Sequence, residues 1–399
     1  LAILFVIFAW VDPTHVVICR VNGCGFNCLN CSEELEETYQ YCSRCGATVD
    51  IEEVLIRHYF QRGFDHSVIL LFLEKYHATE MSVRTSHNRL REYGLRRRNA
   101  NSYDAEIYQA IQQELDRPGC MRVTELGGTP FVWITEYRLQ EGILQQVDLK
   151  EQPCEMLMHK EKVVNNPGPN FAWHVDGCDK LKPFGFPTHG AVDGFSRRVM
   201  WLKICSWNND SCHLASLFYD WVKSNRDCPR VLRTDCGTEN VTMATMQCYF
   251  RGNGNDYQAG LNAHRYGSSP ANQRIEGWWS FYWHDRLTWL INFFKTQLKQ
   301  TLSIPLVNQD VLFVVLFKDV LQADLDHVRD NWNTHYNKKL HHDTIPSRPD
   351  ELFYLPENSG FEDFRCPFTE QQLYDMALYS TTDTEENILW SILIMRWRV

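Results

Sequence analysis

Three acidic residues stand in well-separated contexts along this chain. Asp176 lies in Trp173-His-Val-Asp-Gly177, Asp235 in Leu232-Arg-Thr-Asp-Cys-Gly-Thr-Glu-Asn240, and Glu276 in Ala271-Asn-Gln-Arg-Ile-Glu-Gly-Trp-Trp279. Carboxylates are hard oxygen ligands of the kind Mg²⁺ prefers. Three that converge on one point can hold two divalent ions, and such a pair serves both the attacking and the leaving oxygen of a phosphodiester displacement. A lone Asp at a strand end is more often a cap or turn residue, so no single one of the three carries this chemistry. A second chemistry lies near the N-terminus. Cys28-Leu-Asn-Cys31 is followed by Cys42-Ser-Arg-Cys45-Gly46. Each CxxC puts two thiolates on one tight turn, and two such pairs complete a tetrahedral zinc site with no open position, which is a structural site. Gly46 eases the second turn. The alternative is four unrelated thiols in a cysteine-rich chain, and Cys24 fits a ligand spacing less well.

Elements must exist to position these groups. Phe171 to Asp176, His189 to Asp193 and Val199 to Cys205 are strand-like, with Asp193-Gly-Phe-Ser-Arg197 supplying turn chemistry between the last two. Leu214 to Val222 has helical apolar spacing, and Val231 to Thr234 is a short buried strand ending at Asp235. Ala271 to Phe294 is expected to be one long aromatic helix carrying Glu276. Of Trp278 and Trp279, one is expected in the core and the other on a DNA-stacking surface. Arg251 to Ser269, rich in Gly and Asn, is expected to form a mobile loop. Asp193 reads as a turn residue, and Asp179 as a supporting or surface group.

Upstream, residues 50–99 read as helix-turn-helix. Ile51, Val54, Leu55 and Tyr59 recur at helical spacing, Gly63 ends that helix, and Val68 to Tyr76 forms a second. Ser82 is an N-cap for a third helix. There Val83, Ser86, Leu90 and Tyr93 define a packing face, while Arg84, His87, Asn88 and Arg91 define another, followed by Arg96, Arg97 and Arg98. Arg and Asn on a free helix face suit base edges and phosphates. The bland alternative is a solvated basic face.

Taken together, the three acidic blocks resemble those of the DDE integrases and transposases in order and spacing, as does His189-Gly-Ala-Val-Asp193-Gly-Phe-Ser-Arg between the first two. The resemblance is closest to integrase-core proteins of animal genomes that look like descendants of mobile elements. It implies an α/β, ribonuclease H-like catalytic core at 169–300 with a helical extension at 301–367. Ahead of these stand a zinc ribbon at 20–48, the helix-turn-helix at 50–99, and a poorly matching region at 100–168. It implies Asp176 bridging two Mg²⁺ or Mn²⁺ ions, Asp235 sharing one and Glu276 closing the second. The implied activity is DNA cleavage and strand transfer in DNA integration, by at least a dimer acting in the nucleus. The alternative is a domesticated or decaying DNA-binding relative without catalysis. The cysteine ribbon differs from the His-His-Cys-Cys module of retroviral members, so its role is not carried over. The stretch Asn331-Trp-Asn-Thr-His-Tyr-Asn337 resembles the segment after the catalytic helix in retroelement integrases, or is a packing helix followed by a turn.

Composition sets limits. The 399 residues are 44% hydrophobic and 23% charged, enough for several folded domains. The formal charge of −10 attracts no nucleic acid, so DNA binding must rest on local patches. An odd count of 15 Cys, with paired CxxC, points to a reducing compartment. Leu1 to Val11 is apolar but too short to span a bilayer. A truncated or mis-assembled start is preferred there over a secretory signal or a buried strand.

Overall fold

A computed structural model describes residues 26–27, 34–35, 41–42, 44–46, 48–96, 166–205, 210–267, 273–282, 287–301, 309–337 and 345–380. Cys28, Cys31, Arg97, Arg98 and the whole of 100–165 lie outside these. The chain divides into two compact units, with described residues 26–96 in one and 166–380 in the other.

The first unit opens with a two-residue strand pair, β1 (Phe26–Asn27) and β2 (Glu34–Leu35), and a bridge between Tyr41 and Thr48. Three helices follow: α1 (Ile51–Gln61), α2 (His66–His77) and α3 (Val83–Glu92). The Asp50 carboxylate caps α1 by accepting from the Glu53 N–H, and the Ser82 hydroxyl caps α3 by accepting from Thr85. The core is apolar and aromatic, with Tyr59 stacked on Phe72 at 4.7 Å and Phe64, Ile69 and Leu73 fully enclosed. On α3, Ser86 and Leu90 are buried as expected, but Val83 is 54% exposed. It sits on the first turn, at the helix end and clear of the packed residues, so the packing face is shorter than the periodicity suggests.

The second unit is built on a mixed five-stranded sheet in the order β5-β4-β3-β6-β7. The strands are β3 (Ala172–Cys178), β4 (Thr188–Asp193), β5 (Val199–Ile204), β6 (Val231–Asp235) and β7 (His264–Gly267). The first three are antiparallel neighbours, while β6 and β7 join in parallel. This arrangement fits a ribonuclease H-like core. Alternation along β3 divides its side chains between two helical layers. Trp173 faces α4 (Ser211–Asn225), meeting Phe218 and Trp221 edge-on, and α5 (Val241–Phe250) packs on α4. On the opposite face Val192, Val199 and Leu202 form a core with Ile275, Trp278 and Phe294 from α6 (Gln273–Tyr282) and α7 (Thr288–Thr301), and with Leu325 and Val328 from α8 (Gln309–Thr334). The helix expected over 271–294 is described as α6 and α7, and residues 271–272 and 283–286 lie outside the described residues.

Helix α8 also closes the outer edge of β5. The Asn333 side-chain amide exchanges both hydrogen bonds with the Val199 backbone, at 2.8 and 2.9 Å. Gln322 does the same by accepting from the Ile204 N–H and donating to the Leu202 carbonyl, both at 3.0 Å. Side-chain amides thus take the place of a sixth strand and hide an edge that would otherwise be open to pairing. The Asn-rich stretch behaves here as a packing helix. Beyond it come α9 (Pro349–Tyr354) and α10 (Glu370–Ala377), the latter opened by a Thr369–Gln372 capping box. Among the described residues no helix is long and apolar enough to cross a membrane.

Candidate active site

The acidic residues come together through the sheet register. His174 on β3 is paired with Arg233 on β6, so Asp176 and Asp235, each two residues further on, lie side by side on the same face. Helix α6 packs across β3 and β4 on that face and brings Glu276 to the same place. Burial pushes the Asp176 carboxyl up to about 7, and the charges of Asp235 and then Glu276 add to this. The Gly177 N–H, donating to Asp176 Oδ1 at 2.9 Å, acts the other way. The Trp279 indole N–H lies near this carboxylate and favours its charge slightly, yet finds no partner at full hydrogen-bond geometry.

Neighbouring residues hold the arrangement in place. Asn240 donates its amide to Asp235 Oδ1 at 2.7 Å, fixing one oxygen and leaving the other available. The Glu239 carboxylate folds back over Gly237, where any Cβ would sit 1.7 Å from Glu239 Oε1. Gly190 pairs directly with Asp176 across β3 and β4, and a Cβ there would lie 3.3 Å from the Trp279 ring and 2.9 Å from Leu202. The missing side chain is what lets α6 settle close enough to deliver Glu276. Sequence reasoning passed over Asn240 and Gly190. Asn240 could have been found as the end of the block that begins at Leu232, whereas Gly190 has no local signal.

Trp278 and Trp279 are both buried, at 2% and 8% exposure, so neither offers a stacking surface. The reason is that α8 covers α6 from outside: Trp278 stacks on Tyr282 and meets Trp332 edge-on. Asp193 is the expected turn residue, and Asp179 is exposed and paired with Lys182. Of the expected mobile loop, residues 251–267 are held by internal contacts, and residues 268 and 269 lie outside the described residues. Buried Arg251 pairs with Asp256, Gly254 and Gly260 bond back to Arg251, and the segment ends in β7.

As placed, Asp176 senses the other two carboxylates, and the three do not close on a common centre. Among the described residues, no group of three or more His, Cys, Asp or Glu could hold a metal ion. The other expected site residues are separate. Cys42 is buried and Cys45 exposed, on a turn closed by the Gly46 N–H bonding to the Cys42 carbonyl at 2.9 Å with Gly46 at φ 69°. Arg84, His87, Asn88, Arg91 and Arg96 are all exposed, with the His87 ring 4.4 Å from that of His66.

Residues 163–354 match the integrase core domain family. This is an integrase core domain. Its match places residues 163–354 in the DDE integrase superfamily, a family of integrase- and transposase-like polynucleotidyl transferases. The integrase core contains all three acidic residues and extends through α8 and α9, so the helix that closes the β5 edge is part of it. Among curated proteins none matches the chain.

Proposed function

We propose that this integrase core is a metal-dependent polynucleotidyl transferase that cuts DNA and joins its ends. The observation that carries this reading is the placing of Asp176, Asp235 and Glu276 on one sheet face, close enough for the last two to raise the proton affinity of the first. An all-carboxylate donor set in which Asp235 and Glu276 disfavour the charge of Asp176 fits hard divalent cations such as Mg²⁺ or Mn²⁺. Asp176, Asp235 and Glu276 would hold two of them. When bound, these ions lower the barrier for in-line attack by water or a 3′-hydroxyl on a phosphodiester. The protein supplies position: Asn240 orients Asp235, the Gly177 N–H orients Asp176, and Trp278 and Trp279 exclude water behind Glu276.

The test is cleavage and joining of labelled duplex DNA in Mg²⁺ or Mn²⁺, comparing wild type with Glu276→Gln. Metal-dependent products that disappear in the variant are expected. A folded protein that binds DNA and forms no such product would leave only the reading of a domesticated DNA binder. A substrate of this kind also implies work in the nucleus by at least a dimer, readable by fractionation and by sedimentation with DNA.

The N-terminal unit would deliver the DNA. In this reading Arg84, His87, Asn88 and Arg91, with Arg96, Arg97 and Arg98, contact the duplex. Cys28, Cys31, Cys42 and Cys45 would hold a structural Zn²⁺, and what supports this is the CxxC pairing together with Gly46, whose φ of 69° lets the chain turn after Cys45. Purified protein should contain about one zinc per chain, and Cys42→Ser should lose it together with part of the helical stability of this unit. Full zinc occupancy in Cys42→Ser would remove that cysteine from the site.

A further inference from the structure

Two buried thiols away from the acidic site face each other across a main-chain bridge. Cys228 lies between α4 and β6, and Cys366 lies between α9 and α10. Though 138 positions apart in sequence, they form an isolated antiparallel bridge. The Cys228 N–H donates to the Cys366 carbonyl at 3.0 Å, and the Cys366 N–H donates to the Cys228 carbonyl at 2.8 Å. Residues that exchange both bonds stand directly opposite one another, with Cα atoms about 5.5 Å apart and side chains on one face. A disulfide spans that distance. The Cys228 thiol leans toward its partner, donating to the Cys366 carbonyl oxygen at 3.4 Å. Burial, and then the charge of a Cys366 thiolate, hold the Cys228 thiol well above its ordinary range.

The bridge lies in a seam that holds the C-terminal segment on the core. Arg365 pairs with Asp227 at 3.1 Å, and the Phe364 N–H donates to the Pro169 carbonyl at 2.9 Å. Further on, Gln372 donates to the Tyr249 carbonyl at 2.7 Å, and α10 packs on α4 and α5. The two thiols are not equivalent. Burial raises both, but at Cys366 the charge of Arg251, then a hydrogen bond and the charge from Arg230, act against it. Cys366 is therefore the more readily ionised of the pair, and the thiolate is the form that attacks a disulfide.

We propose that Cys228 and Cys366 form a reversible disulfide that staples the C-terminal segment, residues 361–380, to the entry of β6. The oxidant is a small-molecule disulfide such as glutathione disulfide. The Cys366 thiolate attacks one of its sulfurs, a mixed disulfide forms, and one glutathione leaves. The Cys228 thiolate then attacks the Cys366 sulfur, and the second glutathione leaves. The pair loses two electrons and two protons, and both go to the two glutathione thiols. Cys228 is 0% exposed and Cys366 4%, so exchange runs through an opened state in which the segment has lifted away. Directly opposite residues hold their Cβ atoms about 4.5–5.5 Å apart, wider than the about 3.5–4.5 Å of a relaxed disulfide. The closed bond is strained and easily reduced, which makes it reversible in a thiol-rich compartment.

The experiment equilibrates the full chain with glutathione disulfide, at a concentration that modifies the exposed Cys236. The protein is then unfolded in an alkylating reagent, digested without reductant and mapped by mass spectrometry. A linked pair of peptides carrying Cys228 and Cys366 is expected, and dithiothreitol should separate it. Oxidised wild type should melt about 5–10 °C above its reduced form, because the bond closes a long loop, and Cys366→Ala should lose that difference. Recovery of Cys228 and Cys366 as alkylated thiols from protein modified at Cys236 overturns the proposal. So does glutathione held on Cys366 with no bond to Cys228, or a bond that leaves the melting temperature unchanged. The mapping and the melting of wild type decide the matter even where Cys366→Ala fails to fold. No DNA enters the experiment, so the staple stands or falls separately from the DNA-processing reading.

Discussion

Asp176→Asn should all but eliminate metal-dependent DNA cleavage while stabilising the metal-free protein at neutral pH, which is the direction the charges dictate. Asp176 is the acidic residue that both others press upon, and burial is the largest contribution to its raised proton affinity. An amide of the same shape keeps the acceptor for the Gly177 N–H and removes the charge. What it would lack is the charge that holds a divalent cation. Loss of a cation ligand would remove several kcal/mol of transition-state stabilisation, so a fall of about 10³-fold or more in turnover is expected. Stability should move the other way. The native carboxyl titrates near 7, whereas an unfolded Asp titrates near 4. Between those values the native state holds the extra proton, so the metal-free wild type should lose stability as pH rises through that window. Asparagine does not titrate, and the variant should lack this part of the pH dependence. Saturating Mg²⁺ should raise the melting temperature of wild type and not of the variant. An Asp176→Asn protein that cleaves DNA at a rate near wild type would remove Asp176 from the active site.

Much of this site was legible because its signals are local. Three short apolar runs separated by turn residues read directly as β3, β4 and β5, and Val231 to Asp235 as a strand ending in an acid. Ser82 before a helical pattern is a cap by chemistry alone, and it caps α3. The parts that were not legible depend on distant partners. His264-Arg-Tyr-Gly267 has no run of apolar residues and becomes a strand only by pairing with β6, whose sequence lies some thirty residues away. Trp278 and Trp279 point about 100° apart on a helix, which suggests one in and one out. Both are buried because α8 supplies a second wall, and nothing near residue 279 announces a helix that begins at 309. Gln322 and Asn333 look like surface amides until the open edge of β5 is laid beside them.

Asp193→Ala should cost about 3–5 kcal/mol while leaving the acidic site untouched. Asp193 is fully buried at the end of β4 and its partners are all donors. Its Oδ2 accepts from the Phe195 N–H, the Ser196 N–H and the Ser196 hydroxyl, at 3.2, 2.7 and 2.7 Å. Its Oδ1 accepts from the Asn170 N–H at 2.8 Å. Burial pushes the carboxyl up to about 6 against the pull of these donors, so at neutral pH it is ionised and acceptor-only, which is what four donors require. Alanine would strand all four in a site closed to water. The damage would spread, because Asn170 is itself a junction: its side chain accepts from the Trp173 indole at 3.1 Å and donates to Asp363 at 2.9 Å. Asp193 therefore joins the β4–β5 turn, the entry to β3 and the C-terminal segment. Asn should be milder than Ala, since one amide oxygen can replace Oδ2 while its NH₂ faces the Asn170 N–H. Thermal unfolding should read the Ala variant on the order of 10 °C below wild type for a unit of this size. Equal melting of wild type and Asp193→Ala would show that the turn finds other acceptors, and that β3 reaches its place beside β6 without being anchored at Asn170.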